Sequence, residues 1–297
     1  MSRIVCVGSM NMDIAAYSTT LPRPGETVFG SNLVSSPGGK GLNQAVAARR
    51  LGAEVAFAGC LGRDATGNSV LAFLNSEGID SSAILRLDGA QSGAAVILVD
   101  AKSENAIVVI PGANMSWPAG ALDDLQLRPG DIVISQFEIP DAIIIAAFER
   151  ARAAGARTIL NAAPARAMPA QLLALVDVLV VNETELAATG GTALDTSDVD
   201  AVTESALALS NEKLCVVVTL GAEGAVVAAD GEATYLPGLA VKAIDTAGAG
   251  DCFIGALAAA LFKGETLTAA ATFANHAASI SVTRRGTAIA MPRTSEL

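Results

Sequence analysis

Residues 244–253 read IDTAGAGDCF and lead directly into the apolar stretch 253–262, which predicts a helix. Small residues at 248–250 let backbone N–H groups converge on one point, and the start of a helix adds the positive end of its dipole. Such a turn suits a phosphoryl group that gains negative charge during a reaction. Asp251 stands at the same point, where a carboxylate can accept a proton from an attacking hydroxyl. A simpler hypothesis stays open, in which Asp251 only caps the helix.

A second glycine-rich turn lies in the N-terminal third, where residues 37–44 read PGGKGLNQ and again precede a helix. Lys40 offers donors and Asn43 offers a donor and an acceptor, an inventory that fits a polyhydroxy compound. Upstream, Asn11 and Asp13 follow the first predicted strand and point to one side of the chain. Loops at the carboxyl ends of parallel strands bind ligands in open α/β sheets, so these residues predict a ligand site. The alternative is an ordinary tight turn with Asp13 as a surface acid, and the stretch does not match the GxxxxGK[ST] phosphate loop.

Strand-like and helix-like segments alternate through most of the chain, which predicts a mostly parallel sheet with helices on both faces. The predicted strands are 4–7, 55–58, 131–135, 158–160, 178–181 and 214–219, and the predicted helices between them are 43–50, 65–75, 141–154 and 197–210. Segments 14–36 and 92–110 break this rhythm and predict antiparallel strands of a small lid outside the main sheet. Asp230-Gly231 predicts a further hairpin. We therefore predict one α/β domain over 1–297 with a small β lid.

Composition narrows the classes of function. The net charge of −11 disfavours a nucleic-acid partner, whose phosphates need clustered Lys and Arg. No uncharged run is long enough to span a bilayer, which predicts no membrane partner. The four dispersed cysteines and the single histidine do not have the spacing of a zinc site, and they favour a reduced, cytoplasmic protein.

With both motifs in place, the sequence resembles the ribokinase (PfkB) family of carbohydrate kinases. Residues 38–45 are similar to the family's first signature and residues 245–251 to its second. Further landmarks of the resemblance are residues 8–13, 24–27, 136–138, 161–165, 182–185, 219–221 and 282–286. The resemblance implies a three-layer α/β fold with a β lid over the sugar. It also implies ATP-dependent transfer of the γ-phosphoryl group to a primary hydroxyl of a pentose, ribose above all. Deoxyribose, fructose or another hexose, or a nucleoside such as adenosine, stay open as acceptors.

The resemblance also implies roles for individual residues. The sugar-binding positions are matched by Asn11, Asp13, Gly39, Lys40, Asn43, Glu138 and Asp251. Asp251 matches the catalytic base, and Gly248, Ala249 and Gly250 match the anion hole. Positions near ATP are matched by Asn182, Thr219, Leu220, Gly221, Ala222, Glu223, Gly224, Gly250 and Asn275. A potassium site is matched by Asp245, Ala247, Ser281, Arg284, Gly286 and Ala290, and Glu185 is similar to an acid that organises Mg²⁺ through water. A homodimer formed through the lid is also implied.

Three residues depart from the family pattern. Ala290 stands where a hydroxyl residue is frequent, Asn275 where His is frequent, and Cys252 where Thr is usual. Cys252 follows the predicted base at a helix start, which predicts that alkylation of its thiol inactivates the protein, whereas the other cysteines react slowly. Two other classes of function stay open beside the kinase. One is a non-catalytic nucleotide sensor on the same fold, and the other is a transferase that uses Cys252.

Overall fold

The computed structural model describes residues 2–102, 104–190 and 198–297. The strands of this part are, in chain order, β1 (Ile4–Val7), β2 (Asn11–Ser18), β3 (Gly30–Gly38), β4 (Val55–Gly62), β5 (Asp80–Leu87), β6 (Gly93–Val99), β7 (Asn105–Ile110), β8 (Ile132–Gln136), β9 (Arg157–Asn161), β10 (Val178–Asn182), β11 (Cys215–Thr219), β12 (Gly224–Ala229) and β13 (Glu232–Pro237). Its helices are α1 (Lys40–Arg50), α2 (Ala65–Ser76), α3 (Asp141–Ala153), α4 (Ala170–Leu173), α5 (Glu183–Gly190), α6 (Val199–Leu209), α7 (Ala249–Phe262) and α8 (Leu267–Ser281).

The larger sheet has the strand order β13-β12-β11-β10-β9-β8-β1-β4-β5. Every neighbouring pair from β11 to β5 is parallel, whereas β12 and β13 form an antiparallel hairpin at one edge. The hairpin turns at Asp230 and Gly231, both with positive φ, as the Asp-Gly pair predicts. The predicted mostly parallel sheet is confirmed.

Helices cover both faces of this sheet. Alternate residues of β1 belong to different cores: Ile4 and Cys6 pack with α1, α2, α7 and α8, whereas Val5 and Val7 pack with α3, α4, α5 and α6. A strand buried on both faces reads as a continuous apolar run, which explains why the sequence shows no alternation there. The three-layer prediction is confirmed. In the described part of the chain, no helix is long and apolar enough to cross a membrane.

Helices α1 and α7 lie unusually close together because small residues face one another between them. A Cβ atom added to Gly255 of α7 would stand 2.4 Å from the carbonyl oxygen of Gln44 and 2.5 Å from Cβ of Ala47, both in α1. Helix α7 also begins earlier than predicted, at Ala249 rather than Phe253. The first turns of α1 and α7, which carry the two glycine-rich motifs, are thereby brought together.

The lid is a separate four-stranded sheet with the order β3-β2-β6-β7. Pairs β2–β3 and β6–β7 are antiparallel, but the central pair β2–β6 is parallel, so the prediction of an antiparallel lid is wrong there. The reason is that β2 follows β1 and β6 follows β5 through short connections, and β1 and β5 run in the same direction in the larger sheet. Ser103 of the lid and Ser197 of the predicted helix 197–210 lie outside the described residues.

Candidate active site

Asp251 lies in the first turn of α7, two residues after the turn begins at Ala249. The cap position is held by Gly248 with φ 76°, and no side chain caps the helix. The Asp251 carboxylate instead faces α1, where its Oδ2 accepts a hydrogen bond from Asn43 Nδ2 at 2.9 Å and its Oδ1 accepts one from Gln44 Nε2 at 3.0 Å. The hypothesis that Asp251 only caps the helix is therefore wrong.

Burial and neighbouring groups have opposite effects on the pKa of the Asp251 carboxyl. Burial raises the pKa of the Asp251 carboxyl, and the positive charge of Lys40 and the two amide donors act against that rise. For Lys40 burial lowers the pKa, but the nearby carboxylates of Asp251 and Glu138 outweigh it and leave that pKa above its usual value. The ammonium group of Lys40 thus stands beside a carboxyl whose pKa is raised by burial, which is the direction of shift expected of a general base.

Asn43 has hydrogen-bonding capacity left over. Its Nδ2 donates to Asp251, but its buried Oδ1 has no donor within the described part of the chain. A buried amide oxygen without a partner costs free energy, so it marks a place where a ligand group can donate. This oxygen lies on the same side chain that contacts the Asp251 carboxylate.

Asn11 and Asp13 lie on β2, at the inner end of the lid. Asn11 Oδ1 accepts a hydrogen bond from Asn114 Nδ2 at 2.8 Å, and Asn114 Oδ1 in turn accepts one from the Met10 N–H at 2.9 Å. This arrangement directs Asn11 Oδ1 toward Asn114 and leaves Asn11 Nδ2 for another partner. The Asp13 carboxylate accepts a hydrogen bond from Thr287 Oγ1 at 3.2 Å. Burial, with a smaller contribution from other carboxylates, raises the pKa of Asp13 to about 6.

A cavity of about 580 Å³ lies between the inner face of the lid and segments 244–247 and 285–289. Residues along its wall include Asp13, Tyr17, Ile97, Asn105, Ala247 and Thr287. Asp251 and Asn43 are both buried and do not line this cavity. Of the residues predicted to bind the sugar, Asp13 therefore lines this cavity.

Glu138 follows β8 and reaches the first turn of α1. Its Oε2 accepts hydrogen bonds from Ser9 Oγ at 2.6 Å and from the Lys40 N–H at 3.2 Å. Gly39, the residue before α1, has φ 91°, and a Cβ there would stand 2.9 Å from the Asn11 backbone nitrogen. Only glycine suits that position, so the motif holds the start of α1 against the segment that carries Asn11.

Two of the residues predicted near ATP, Asn182 and Thr219, lie at the carboxyl ends of neighbouring strands. Asn182 ends β10 and Thr219 ends β11, and the two are paired in register. Asn182 and Glu185 bond each other reciprocally, each side chain accepting the other's backbone N–H, at 2.8 and 2.9 Å. Burial raises the pKa of Glu185. Leu220, Gly221, Ala222 and Glu223 connect β11 to β12, and Gly224 is the first residue of β12.

Asn275, on α8, donates from Nδ2 to the Pro237 carbonyl at 2.9 Å, so this departure from the family pattern joins α8 to the end of β13. At the anion-hole turn, the Ala249 N–H donates to the Thr246 carbonyl at 3.2 Å. The Cβ side of Gly250, by contrast, faces open space. Gly250 is therefore the most accessible backbone position of the three predicted there.

The predicted potassium residues lie in two loops that Asp245 joins. Asp245 Oδ1 accepts from the Ala247 N–H and Oδ2 from the Gly286 N–H, both at 3.0 Å. Ser281 ends α8, Arg284 pairs with Glu296, and Ala290 is buried in a short 3₁₀ turn. Among the described residues, no three His, Cys, Asp or Glu side chains are grouped as a metal site. A cation there would depend on backbone carbonyls, together with lone pairs that Asp245 retains.

Three buried residues of this site were not assigned a role from sequence: Gln44, Gln136 and Asn161. Gln136 Nε2 donates to Gln44 Oε1 at 2.7 Å, and Gln44 Nε2 donates to Asn161 Oδ1 at 3.1 Å. A signal did exist, since Gln136 and Asn161 are polar residues at the carboxyl ends of buried strands. Ser9, Asn114 and Thr287 were also missed, because their partners are distant in sequence.

The prediction for Cys252 conflicts with its position. Cys252 is fully buried, and burial raises the pKa of its thiol to about 12, with the charge of Asp251 adding to the rise. The dipole of the helix N-terminus does not overcome this burial. Cys215, which was expected to be among the slow thiols, is the only one of the four cysteines that is partly exposed. All four cysteines are free thiols.

Comparisons with known proteins identify relatives along nearly the whole chain. The pfkB family carbohydrate kinases match residues 1–294. The ribokinase of Haemophilus influenzae is 36% identical over 296 residues, which cover 99% of this chain and 96% of that protein. The deoxyribokinase of Salmonella typhi is 32% identical over 293 residues, which cover 97% of this chain and 95% of that protein. The structure of Arabidopsis thaliana ribokinase complexed with ribose and ATP superposes with a TM-score of 0.90 at 31% identity, over 99% of this chain and 97% of that one.

The chain belongs to the pfkB family of carbohydrate kinases. The resemblance noted from the two glycine-rich motifs is thereby confirmed over the whole chain, and the protein is an ATP-dependent sugar kinase.

Proposed function

We propose that this kinase transfers the γ-phosphoryl group of ATP to the primary hydroxyl of ribose and forms ribose 5-phosphate. One observation carries the proposal: the buried Asp251 carboxylate is held by two amides, and the unpartnered Oδ1 of Asn43 lies on one of them. The ribokinases to which the chain is similar supply the choice of sugar.

In the proposed reaction, Asp251 accepts the proton of the sugar hydroxyl as that oxygen bonds to the γ-phosphorus. The bond between the γ-phosphorus and the oxygen that bridges to the β-phosphate breaks, and ADP leaves. Of the three residues predicted for the anion hole, Ala249 already donates its N–H to the Thr246 carbonyl. The N–H groups of Gly248 and Gly250 and the dipole at the start of α7 would therefore face the developing negative charge. Lys40 stays protonated beside Asp251 and attracts the phosphoryl group as it approaches.

The sugar would be held by donors and acceptors from three segments. Asn11 offers Nδ2, Asn43 offers Oδ1, and Asp13 offers carboxylate oxygens that face the cavity under the lid. Glu138 and Gly39 would contribute mainly by holding the first turn of α1 in place, since Glu138 bonds Ser9 and the Lys40 N–H. This set combines neutral amides, which donate and accept, with a carboxylate, which accepts. A small neutral polyol matches it, because each hydroxyl can both donate and accept.

The nucleotide and its ions would occupy the carboxyl ends of β10 to β12. The 219–224 turn and Asn275 border this place for ATP, and Asn182 holds Glu185 toward it. Glu185 fits an Mg²⁺ site through water, because it is a buried carboxylate and, within the described residues, only its Oε2 accepts a hydrogen bond. Bound Mg²⁺ neutralises phosphate charge. Potassium at Asp245, Ala247, Ser281, Arg284, Gly286 and Ala290 fits two loops that Asp245 already joins, and would stiffen the anion-hole turn.

Assembly and location complete the proposal. We infer a homodimer through the outer face of the lid, where Leu33 is 66% and Val108 is 63% exposed. Apolar side chains so exposed on a regular sheet favour a covering partner, and a second copy offers the same face. Free thiols in all four cysteines favour a reducing compartment such as the cytoplasm.

The test is an ADP-release assay with ribose, deoxyribose, fructose, adenosine and fructose phosphates at equal concentrations. We expect ribose to have the highest kcat/KM. A higher kcat/KM for deoxyribose would support the alternative that the deoxyribokinase relative suggests. ADP release that does not depend on any added sugar would contradict the proposed function.

A further inference from the structure

A chain of buried amides runs from the carboxyl edge of the central sheet to the proposed base. Gln136, at the end of β8, donates from Nε2 to Gln44 Oε1 at 2.7 Å. Gln44, in α1, donates from its own Nε2 to Asp251 Oδ1 at 3.0 Å and to Asn161 Oδ1 at 3.1 Å. Gln44 and Gln136 are both fully buried, so no solvent competes for these bonds.

The chain determines which way the Gln44 amide faces. If this amide turned by 180°, Oε1 would meet the acceptor oxygens of Asp251 and Asn161, and Nε2 would meet the donor Nε2 of Gln136. All three contacts would then be mismatched, and unsatisfied buried groups are costly. Gln136 therefore fixes Gln44 as a donor to Asp251, although it does not touch Asp251 itself.

The position of Gln136 shows that this orientation is not incidental to packing. Its Oε1 is buried and has no donor in the described ranges, and its Nε2 is 3.6 Å from Cys6 Sγ. A Cβ atom at Gly8 would stand 2.2 Å from Gln136 Oε1, so the glycine makes the space that this side chain occupies. A buried oxygen without a donor is unfavourable and calls for an explanation. The explanation here is that the same side-chain orientation lets Gln136 Nε2 donate to Gln44.

We propose that Gln44, held by Gln136, is a positioning residue that fixes the rotation of the Asp251 carboxylate toward the sugar hydroxyl. Asn43 holds Oδ2 and Gln44 holds Oδ1, so the plane of the carboxylate is set by two donors from adjacent residues of one helix. Without Gln44, the carboxylate would have one donor and could rotate about its Cβ–Cγ bond. The inference rests on the proposed function, in which Asp251 is the base.

The first test is Gln44→Met, which keeps nearly the same volume and removes both hydrogen-bonding atoms. We expect kcat to fall about 10- to 100-fold, because a small misplacement of a reacting group can have an effect of that size. KM for the sugar and KM for ATP should stay within about threefold, since Gln44 touches neither in this arrangement. A kcat within twofold of the parent enzyme would overturn the proposal.

The second test asks whether Gln136 acts through Gln44. Gln136→Met should lower kcat by a smaller factor than Gln44→Met, and the double variant should lose no more than Gln44→Met alone. If Gln136→Met lowers kcat by the same factor in both backgrounds, the two residues act independently and the positioning chain is rejected. Should Gln44→Met fail to fold, a kcat for Gln136→Met equal to that of the parent rejects it as well.

The matched control is Thr158→Val on β9. Thr158 Oγ1 donates a buried hydrogen bond to the Leu175 carbonyl at 2.7 Å and has no contact with the site. This variant should lower the melting temperature and leave kcat unchanged, which separates lost stability from lost positioning. The assay uses whichever sugar the substrate panel shows to be best, so a different sugar does not affect the test. Near-normal turnover in Asp251→Asn would defeat the proposed base, whereas near-normal turnover in Gln44→Met alone defeats only this inference.

Discussion

Two regions of the molecule differ in how they treat their side chains: the junction between α1 and α7 buries a charged group, and the lid sheet exposes apolar groups. At the junction, the Asp251 carboxylate is buried and each of its oxygens is bonded to an amide of α1. In the lid, apolar side chains such as Leu33 and Val108 are exposed on a regular sheet. At the junction the chain supplies the partners of the carboxylate, whereas the lid presents surface that a substrate or a second copy can cover. The proposed base is thus buried between two helices of the main domain, whereas the exposed apolar surface lies on a separate sheet.

The two faces of the lid differ in the same way. The face that contains Ala15, Ile97 and Ile107 lines the cavity beside Asp13. On the opposite face, the register pairs Val96 with Val108 across β6 and β7. The inner face therefore lines the cavity beside Asp13, which is proposed to bind the sugar, and the outer face is the one proposed for dimerisation.

The strongest way to break this comparison is Asp251→Asn. Asn43 can turn its unpartnered Oδ1 toward the new amide, so the variant should fold and bind both substrates. An amide cannot accept the proton, and loss of a general base typically lowers the rate by about 10²- to 10⁴-fold. Steady-state kcat measures this loss, with both KM values as the control for binding. Turnover close to that of the parent would mean that Asp251 is not the base.

Asp13 tests the lid's contribution to the sugar site. Asp13→Ala should raise KM for the sugar by a factor that corresponds to about 1–3 kcal/mol, with little change in KM for ATP. The pKa of Asp13 is about 6, so its carboxylate is lost as pH falls through 6, and KM for the sugar should rise there in the parent enzyme. Asp13→Asn should flatten that rise. An equal increase in both KM values would place Asp13 away from the sugar.

The proposal that the outer face of the lid forms a dimer is tested by measuring the oligomeric state of the protein. Val108→Lys places a charge on the proposed dimer surface, and sedimentation velocity at micromolar concentration should change from dimer to monomer. Ile107→Lys, one residue away on the cavity face, is the matched control and should stay dimeric. A parent protein that sediments as a monomer would refute the dimer without affecting the kinase.

Thiol labelling compares buried and partly exposed positions directly. Cys215 should react with a maleimide faster than Cys252, because Cys252 is fully buried and its thiol pKa is about 12. Burial also raises the pKa of Cys215, so the reaction should be slow at neutral pH. Peptide mapping by mass spectrometry identifies the modified residue. Cys215→Ser should remove most of the labelling, and rapid modification of Cys252 would contradict the packing around α7.

The smallest expected effect concerns stability. Burial raises the pKa of Asp251 in the folded protein above its unfolded value, so its ionised form is unfavourable in the folded state near neutral pH. Asp251→Asn should therefore raise the free energy of unfolding at pH 7, by about 1 kcal/mol. In the parent, the stability lost through the ionised Asp251 carboxylate is regained as pH falls through the pKa of the folded state. The recovery is complete below the pKa of the unfolded state. Urea unfolding at several pH values checks the sign, and a less stable variant at pH 7 would contradict it.

Much of the fold could be predicted because its signals are local. The apolar runs that predict β1, β8 and β10 begin and end within a residue of the observed strands. The glycine-rich motifs identified the two turns that meet at Asp251. The partners of these turns could not be predicted, because Asn43 and Asp251 are 208 residues apart and Gln44 and Gln136 are 92 residues apart. The parallel pairing of β2 with β6 depends in the same way on where β1 and β5 lie in the sheet.

The sequence by itself determined the α/β alternation, the two glycine-rich turns and the acid that stands in the second of them. Each follows from the chemistry of neighbouring residues: apolar runs form buried strands, and small residues permit tight turns. The tertiary structure alone decided that Asp251 faces α1 rather than capping α7, and that Cys252 is inaccessible. It also decided that Gln136 orients Gln44. Burial and hydrogen-bond partners are sums over contacts from the whole chain, and no local pattern encodes them.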